Sequence, residues 1–142
     1  GRGPFENYID RYSSSFIGRY EDKVENQFYW YIRPQETGNK TDVRWLSLLD
    51  SEGQGVRITG LQPIAFSALH FSPEDLDPGL TRKLQHTIDI VPQKNIFLHV
   101  DLKQRGLGGD NSWGMYPHNE YRLLDKKYTY SYMIELVEKN SD

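Results

Sequence analysis

The residue types that could do chemistry are densest at Gly106-Leu107-Gly108-Gly109-Asp110-Asn111-Ser112-Trp113. Glycines release the backbone from the usual steric limits and let it approach another surface closely. The tryptophan that closes the run offers a flat, rigid apolar face with one N–H donor. That is the chemistry of a loop that stacks on a sugar or contacts a partner, and such loops are carried by rigid strands. A tryptophan after a glycine-rich loop can equally be a core plug or an interface anchor, and the residues alone leave both readings open.

Other chemistry is thinner. Four histidines are present, His70, His86, His99 and His118, and none stands at metal-ligand spacing from another. There is no GxSxG elbow, no phosphate loop ending in Gly-Lys-Ser/Thr and no cysteine nucleophile. The glycines at 106–109 open no helix, which separates them from a dinucleotide fingerprint. His99 and Asp101 fall on one face of a predicted strand and could form an acid–base pair. Two solvated polar residues on an outward face explain the same pattern. Carboxylates are plentiful, yet sequence alone places no two at glycosidase separation. Glu6, Asn7, Asp10 and Arg11 cluster around Tyr8. They read either as a carboxylate pair at a site or, more simply, as a surface loop pinned by an ion pair of Asp10 or Glu6 with Arg11.

The elements that must hold these residues read as strands. Asn95 to Leu102 alternates, with Ile96, Leu98, Val100 and Leu102 on one face and Phe97, His99 and Asp101 on the other, and it feeds the glycine loop. Residues 28–33, Val43 to Leu49, Val56 to Thr59, Ile64 to Phe71, His86 to Val91, Glu120 to Leu124 and Tyr128 to Val137 read as further strands. Pro34 and Pro92 end two of them and Pro63 starts a third. Asp50 to Gly55 makes a hairpin turn longer than the two-residue minimum, and Gly38-Asn39 is the reversal point within Gln35 to Asp42. Ser72-Pro73-Glu74-Asp75 is a helix start, with a hydroxyl cap, proline at the first position and acids in the first turn. Asp77-Pro78-Gly79 interrupts that helix, with resumption possible through Leu84. Tyr128, Tyr130, Tyr132, Ile134 and Leu136 share a face, which core packing would explain. Asn39-Lys40-Thr41 fits the glycosylation pattern but carries no weight without a secretory context.

The chain of 142 residues is long enough for one domain with a real core. Ten Tyr, six Phe and three Trp make it aromatic-rich, which suits strands and sugar-facing surfaces. A net charge of −3 with both signs interspersed gives no basic stripe for nucleic acid and no polybasic stretch for a membrane. The absence of cysteine removes disulfides and thiolate metal sites and leaves the compartment open. The chain opens Gly1-Arg2-Gly3-Pro4 without an initiator Met, which suggests a piece of something longer. No repeat with a period of roughly 20–50 residues is evident, and nothing marks an internal boundary. About seven to nine short strands with frequent Gly/Pro punctuation predict an all-β fold, an antiparallel β-sandwich over residues 1–142.

The segments GRGPFENYIDR and IFLHVDLKQRGLGGDNSWG and the closing Tyr-rich strand together resemble the C-terminal end of bacterial β-galactosidases of glycoside hydrolase family two. The GP-x-ENY-x-DR and GGD-[DN]-SW patterns are specific, and the resemblance runs over nearly the whole chain. It implies the C-terminal half of a galactose mutarotase-like supersandwich, belonging to a homo-oligomeric enzyme that hydrolyses terminal β-D-galactosides such as lactose. The family's catalytic glutamates and its magnesium and sodium ligands lie in preceding domains, so the resemblance assigns no catalytic residue and no metal to this chain. It does assign Trp113 to stacking on the non-galactose sugar or acceptor, with Asp110 and Asn111 beside it in the substrate-binding loop. The family loop often reads Asp-Asp, so Asn111 departs from it and the second carboxylate's role does not carry over. The partners implied are the preceding domains of the same polypeptide and galactoside or glucose-type sugars. A free-standing carbohydrate-binding module using the same tryptophan is the alternative from another class. A mutarotase-like isomerase with His99 as base is a third.

Overall fold

The computed structural model describes residues 1–77, 79–80 and 86–139. All strand pairings between its named strands are antiparallel. β1 (Arg2–Gly3) and β2 (Phe16–Ile17) form a short ribbon; β3 (Lys40–Leu49), β4 (Gly55–Leu69), β5 (Phe97–Asp101) and β6 (Tyr132–Val137) form the main sheet. Among the described residues, α-helix is limited to the single turn α1 (Pro73–Leu76). The all-β antiparallel class expected from the sequence is the one that forms.

β4 organises the sheet. One of its edges takes β3, and the other takes β6 along Gly55 to Gly60 and β5 along Ala65 to Leu69. Two separate strands were expected on either side of Pro63. They are one strand, because Pro63 falls between the β6-paired and β5-paired stretches, where a missing N–H removes no ladder bond. The register against β3 also shifts there, from Trp45↔Thr59 to Val43↔Ile64. Ser131 spans the gap: its carbonyl accepts from Leu61 N–H at 3.1 Å, and its N–H donates to Gln62 Oε1 at 3.2 Å. The β3–β4 turn is held by Asp50 Oδ1, which accepts from the Glu52 and Gln54 N–H groups, both at 2.9 Å.

The core has two parts. Val43, Leu46, Ile58 and Ile64 are buried together with Leu48, Phe66, Leu98 and Val100 against them. Phe28, Leu69, Phe71, Leu76 and Ile90 form the second cluster. β5 carries Leu98 into the first and presents Phe97 and His99 opposite Leu69 and Ser67, so the expected two-face alternation holds. α1 is closed by the expected cap, with Ser72 Oγ accepting from Asp75 N–H at 3.3 Å and Asp75 Oδ2 accepting from Ser72 N–H at 2.7 Å. The resumption toward Leu84 lies outside the described residues.

Four strand expectations fail, each for a local reason. Residues 28–33 alternate as predicted, since the Phe28 and Trp30 rings meet at 4.9 Å and those of Tyr29 and Tyr31 at 4.6 Å. Yet the segment has no ladder partner among the described residues and folds on itself, with Tyr31 N–H donating to Tyr29 O at 3.0 Å. His86 to Val91 contains a 3₁₀ turn, Thr87–Asp89, because the Asp89 carboxylate takes the His86 N–H at 2.8 Å. Glu120 to Leu124 is likewise replaced by a 3₁₀ turn over Asn119–Tyr121. The last strand starts at Tyr132, not Tyr128. Its stripe is not core: Tyr132, Ile134 and Leu136 are 41%, 61% and 78% exposed. Ile134 is paired to buried Ile58 and Leu136 to Val56, so an apolar sheet face continues outward with nothing in the described chain above it.

Candidate functional site

Trp113 stands at the end of the loop that follows β5, and its indole is 90% exposed. The core-plug reading therefore does not hold for this chain. The loop is built by close approach. A Cβ on Gly106 would lie 2.7 Å from Asp10 Oδ2 and 2.8 Å from Tyr121 Cβ; one on Gly109 would lie 2.3 Å from the Met115 carbonyl oxygen. Only glycine fits at these two positions. Gly106 N–H donates to Tyr121 O at 2.6 Å, and Gly108 N–H donates to Asp10 Oδ2 at 2.8 Å.

Beyond these ties the loop holds its own tip. Asn111 Oδ1 accepts from Trp113 N–H at 2.9 Å, a side-chain turn that sets the tryptophan's backbone. Asp110 Oδ1 lies 2.7 Å from His118 Nε2. That hydrogen bond, and then the aspartate's charge, raise the His118 pKa above its ordinary value. On the same loop Arg105, Leu107, Asn111, Ser112, Met115 and Tyr116 border a hollow of about 320 Å³; the Arg122 guanidinium lies 5.0 Å from the Tyr116 ring centre. A small hollow of mixed polar and apolar lining, on the loop that also carries the exposed Trp113, is a surface suited to part of a hydroxylated ligand.

The N-terminal cluster is not the surface loop that its charges suggested. Asn7 is fully buried: its Oδ1 accepts from Thr41 N–H at 2.9 Å and Thr41 Oγ1 at 2.5 Å, and its Nδ2 donates to Phe5 O at 3.0 Å. Asn39, also fully buried, donates from Nδ2 to Asn7 O at 2.8 Å, so the glycosylation triplet has no accessible amide. Glu6 does meet Arg11, at 3.3 Å, but its carboxylate is turned inward. It accepts from Thr37 Oγ1 at 2.6 Å, from Gly38 N–H at 2.9 Å and from the Tyr31 hydroxyl. Burial pushes the Glu6 pKa up, and these bonds with the Arg11 charge outweigh it, leaving the group below the usual carboxylate range. Burial pushes Tyr8 upward. Tyr8 and Arg11 exchange backbone bonds at 3.1 and 2.8 Å, closing a turn that presents Asp10 to the glycine loop.

His99 and Asp101 share a face as expected, but His99 pairs elsewhere. Its Nδ1 is 3.7 Å from Glu36 Oε1, while Asp101 Oδ2 is 3.4 Å from Gln104 Nε2. His99 and Glu36 border a cavity of about 760 Å³ floored by Leu69, Phe71 and Phe97. Sequence spacing did not give the partners Asp10, His118 and Glu36. Asp10 and Gly108 are 98 positions apart, and the one signal that joined them was the co-occurrence of the two motifs. Among the described residues no three His, Asp or Glu side chains converge on one point.

A family model described as beta galactosidase small chain matches residues 1–134. The chain is 36% identical over 136 residues to a beta-galactosidase of Priestia megaterium, covering 95% of this chain and 13% of that protein. It is 34% identical over 122 residues to a beta-galactosidase of Halalkalibacterium halodurans, covering 85% and 12%. A beta-galactosidase of Streptococcus thermophilus shares 34% identity over 137 residues, covering 95% and 13%. The chain thus spans 12–13% of the length of these three relatives.

Proposed function

The chain belongs to the beta-galactosidase small-chain family, and from that premise we propose that it is the C-terminal part of a glycosidase for terminal β-D-galactosides. In this reading it is inactive alone and lends Trp113 to the subsite of the non-galactose sugar or acceptor. The catalytic glutamates, with the magnesium and sodium sites, belong to preceding domains of the same polypeptide. Asp110 and Asn111 shape the approach to the indole, which receives one face of the sugar ring.

The observation that carries the reading is the 90% exposed indole on a loop tied down at both ends. A large apolar ring is held in water at a defined place, which a structural role within this chain does not explain. The exposed apolar face of β6 fits the same account, as the surface against which the remainder of the polypeptide packs.

Stacking one sugar face on an aromatic ring is worth about 1 kcal/mol, roughly fivefold in affinity. Trp113→Ala in the full-length polypeptide should therefore weaken glucose as acceptor or inhibitor roughly fivefold and leave galactose inhibition unchanged. Equal losses for both sugars would reject the assignment. Calorimetric titration of the isolated chain separates this reading from a free-standing module: silence with galactose, glucose and lactose agrees with a donated loop, and millimolar or tighter binding favours the module.

A further inference from the structure

Asp10 belongs to the N-terminal motif, and nothing in its neighbourhood along the chain calls for it. Its carboxylate nonetheless meets the glycine loop at two points, accepting the Gly108 N–H at 2.8 Å and filling the space that a side chain on Gly106 would need. Gly106 is buried and pinned on its other side by Tyr121 O at 2.6 Å. The loop root is therefore caught between Asp10 and Tyr121. Five positions beyond Gly108, the tip is set by the Asn111–Trp113 bond.

The mount for Asp10 is rigid. Asn7 and Glu6 fix the preceding residues to Thr37, Gly38 and Thr41 through one buried and two part-buried bonds, and the Tyr8–Arg11 bridge closes the turn. A carboxylate bond to a backbone N–H is among the stronger hydrogen bonds, and it orients as well as attracts. Removing it frees the Gly108 amide and opens a space beside Gly106, which lets the loop root shift. A displacement of about 1 Å at a positioning group is enough to degrade a binding geometry.

From this geometry we propose that Asp10 is a positioning residue for Trp113, which sets the enzyme's discrimination for the non-galactose sugar without touching that sugar. The inference rests on the acceptor-subsite reading of Trp113 given above. The charge itself is not required: an asparagine carbonyl can accept the same N–H.

Four variants of the full-length polypeptide test this: Asp10→Ala, Asp10→Asn, Trp113→Ala and the double Asp10→Ala/Trp113→Ala. Inhibition constants for glucose and galactose are read alongside amide hydrogen exchange across residues 106–113. Asp10→Ala should raise the glucose constant several-fold, approaching the roughly fivefold of Trp113→Ala, with galactose unchanged. Asp10→Asn should stay near wild type, and the double variant should be no worse than Trp113→Ala alone, because both act through one ring. Exchange across the loop should quicken in Asp10→Ala and not in Asp10→Asn. A glucose constant that moves in Trp113→Ala but not in Asp10→Ala overturns the inference, and so does an equal rise for both sugars in Asp10→Ala. If Trp113→Ala moves neither constant, the acceptor-subsite reading fails. The exchange data then decide separately whether Asp10 holds the loop, and unchanged exchange in Asp10→Ala refutes that too.

Discussion

Asn7→Ala should be among the most destabilising single changes in this chain. Asn7 Oδ1 is the acceptor for the Thr41 N–H at 2.9 Å, and both residues are buried. A buried backbone donor left without a partner costs about 1–3 kcal/mol. The Thr41 hydroxyl loses the same acceptor and Phe5 O loses a donor, but the hydroxyl can rotate and Phe5 lies at the surface, so these add about 1 kcal/mol together. The expected loss is therefore about 2–4 kcal/mol, or roughly a 6–15 °C fall in the unfolding midpoint for a domain of this size. Urea and thermal unfolding followed by near-UV circular dichroism would measure it, with exchange at the Thr41 amide locating it. Asn7→Asp sharpens the test. It keeps the acceptor for Thr41 but turns the donor toward Phe5 O into a second buried acceptor, so the cost is largest with the carboxylate ionised. Its deficit against wild type should shrink as pH falls and the group protonates into a donor again. A loss under about 0.5 kcal/mol for Asn7→Ala, the scale of an ordinary surface change, would refute the claim that this side chain ties the N-terminal motif to β3.

Two further expectations concern the loop and a buried cation. Gly106→Ala drives a methyl into Asp10 and Tyr121 and should cost about 1–3 kcal/mol by thermal unfolding. Gly108→Ala, whose Cβ would meet its nearest neighbour at 3.6 Å, should be close to neutral, and equal losses would remove the close-approach argument. Burial lowers the Lys40 pKa to about 8, against the pull of Glu6 and Asp22. Unfolded, the amine titrates near about 10.4. The unfolded chain binds more protons between those values, so this group makes stability rise with pH from about 8 to about 10.4. Lys40→Met should abolish that rise; a wild-type stability that is flat or falling there, with no difference in the variant, would contradict the burial account.

Legibility in the sequence followed the range of the forces at work. β5 was readable because alternation over Ile96 to Leu102 is a local signal that its pairing with β4 then uses. The Ser72 cap was readable because all its partners lie within three positions. Residues 28–33 show the limit: alternation sets which rings stack, but a strand also needs a neighbour, and none is supplied by the chain in sequence order. The N-terminal motif shows the opposite limit: its charges suggest exposure, whereas the Glu6 carboxylate is turned inward and Asn7 is buried, each satisfying a backbone group more than thirty positions away.

The tyrosine-rich stripe of β6 is the most instructive departure. Its composition reads as core, and in register it continues a core, with Ile134 beside Ile58 and Leu136 beside Val56. The side chains are nevertheless exposed, because nothing among the described residues packs over them. The Trp113 indole poses the same problem on a loop: apolar area in water that no partner among the described residues removes. Two surfaces built for burial and left uncovered, one broad on a sheet and one narrow on a tied loop, call for different partners. A broad sheet face is suited to packing against another protein surface, whereas a single exposed indole is suited to one ring of a ligand. The chain spans 13% of the length of the Priestia megaterium relative; under the function proposed above, the rest of such a polypeptide is what would cover the sheet face and complete a subsite around the indole.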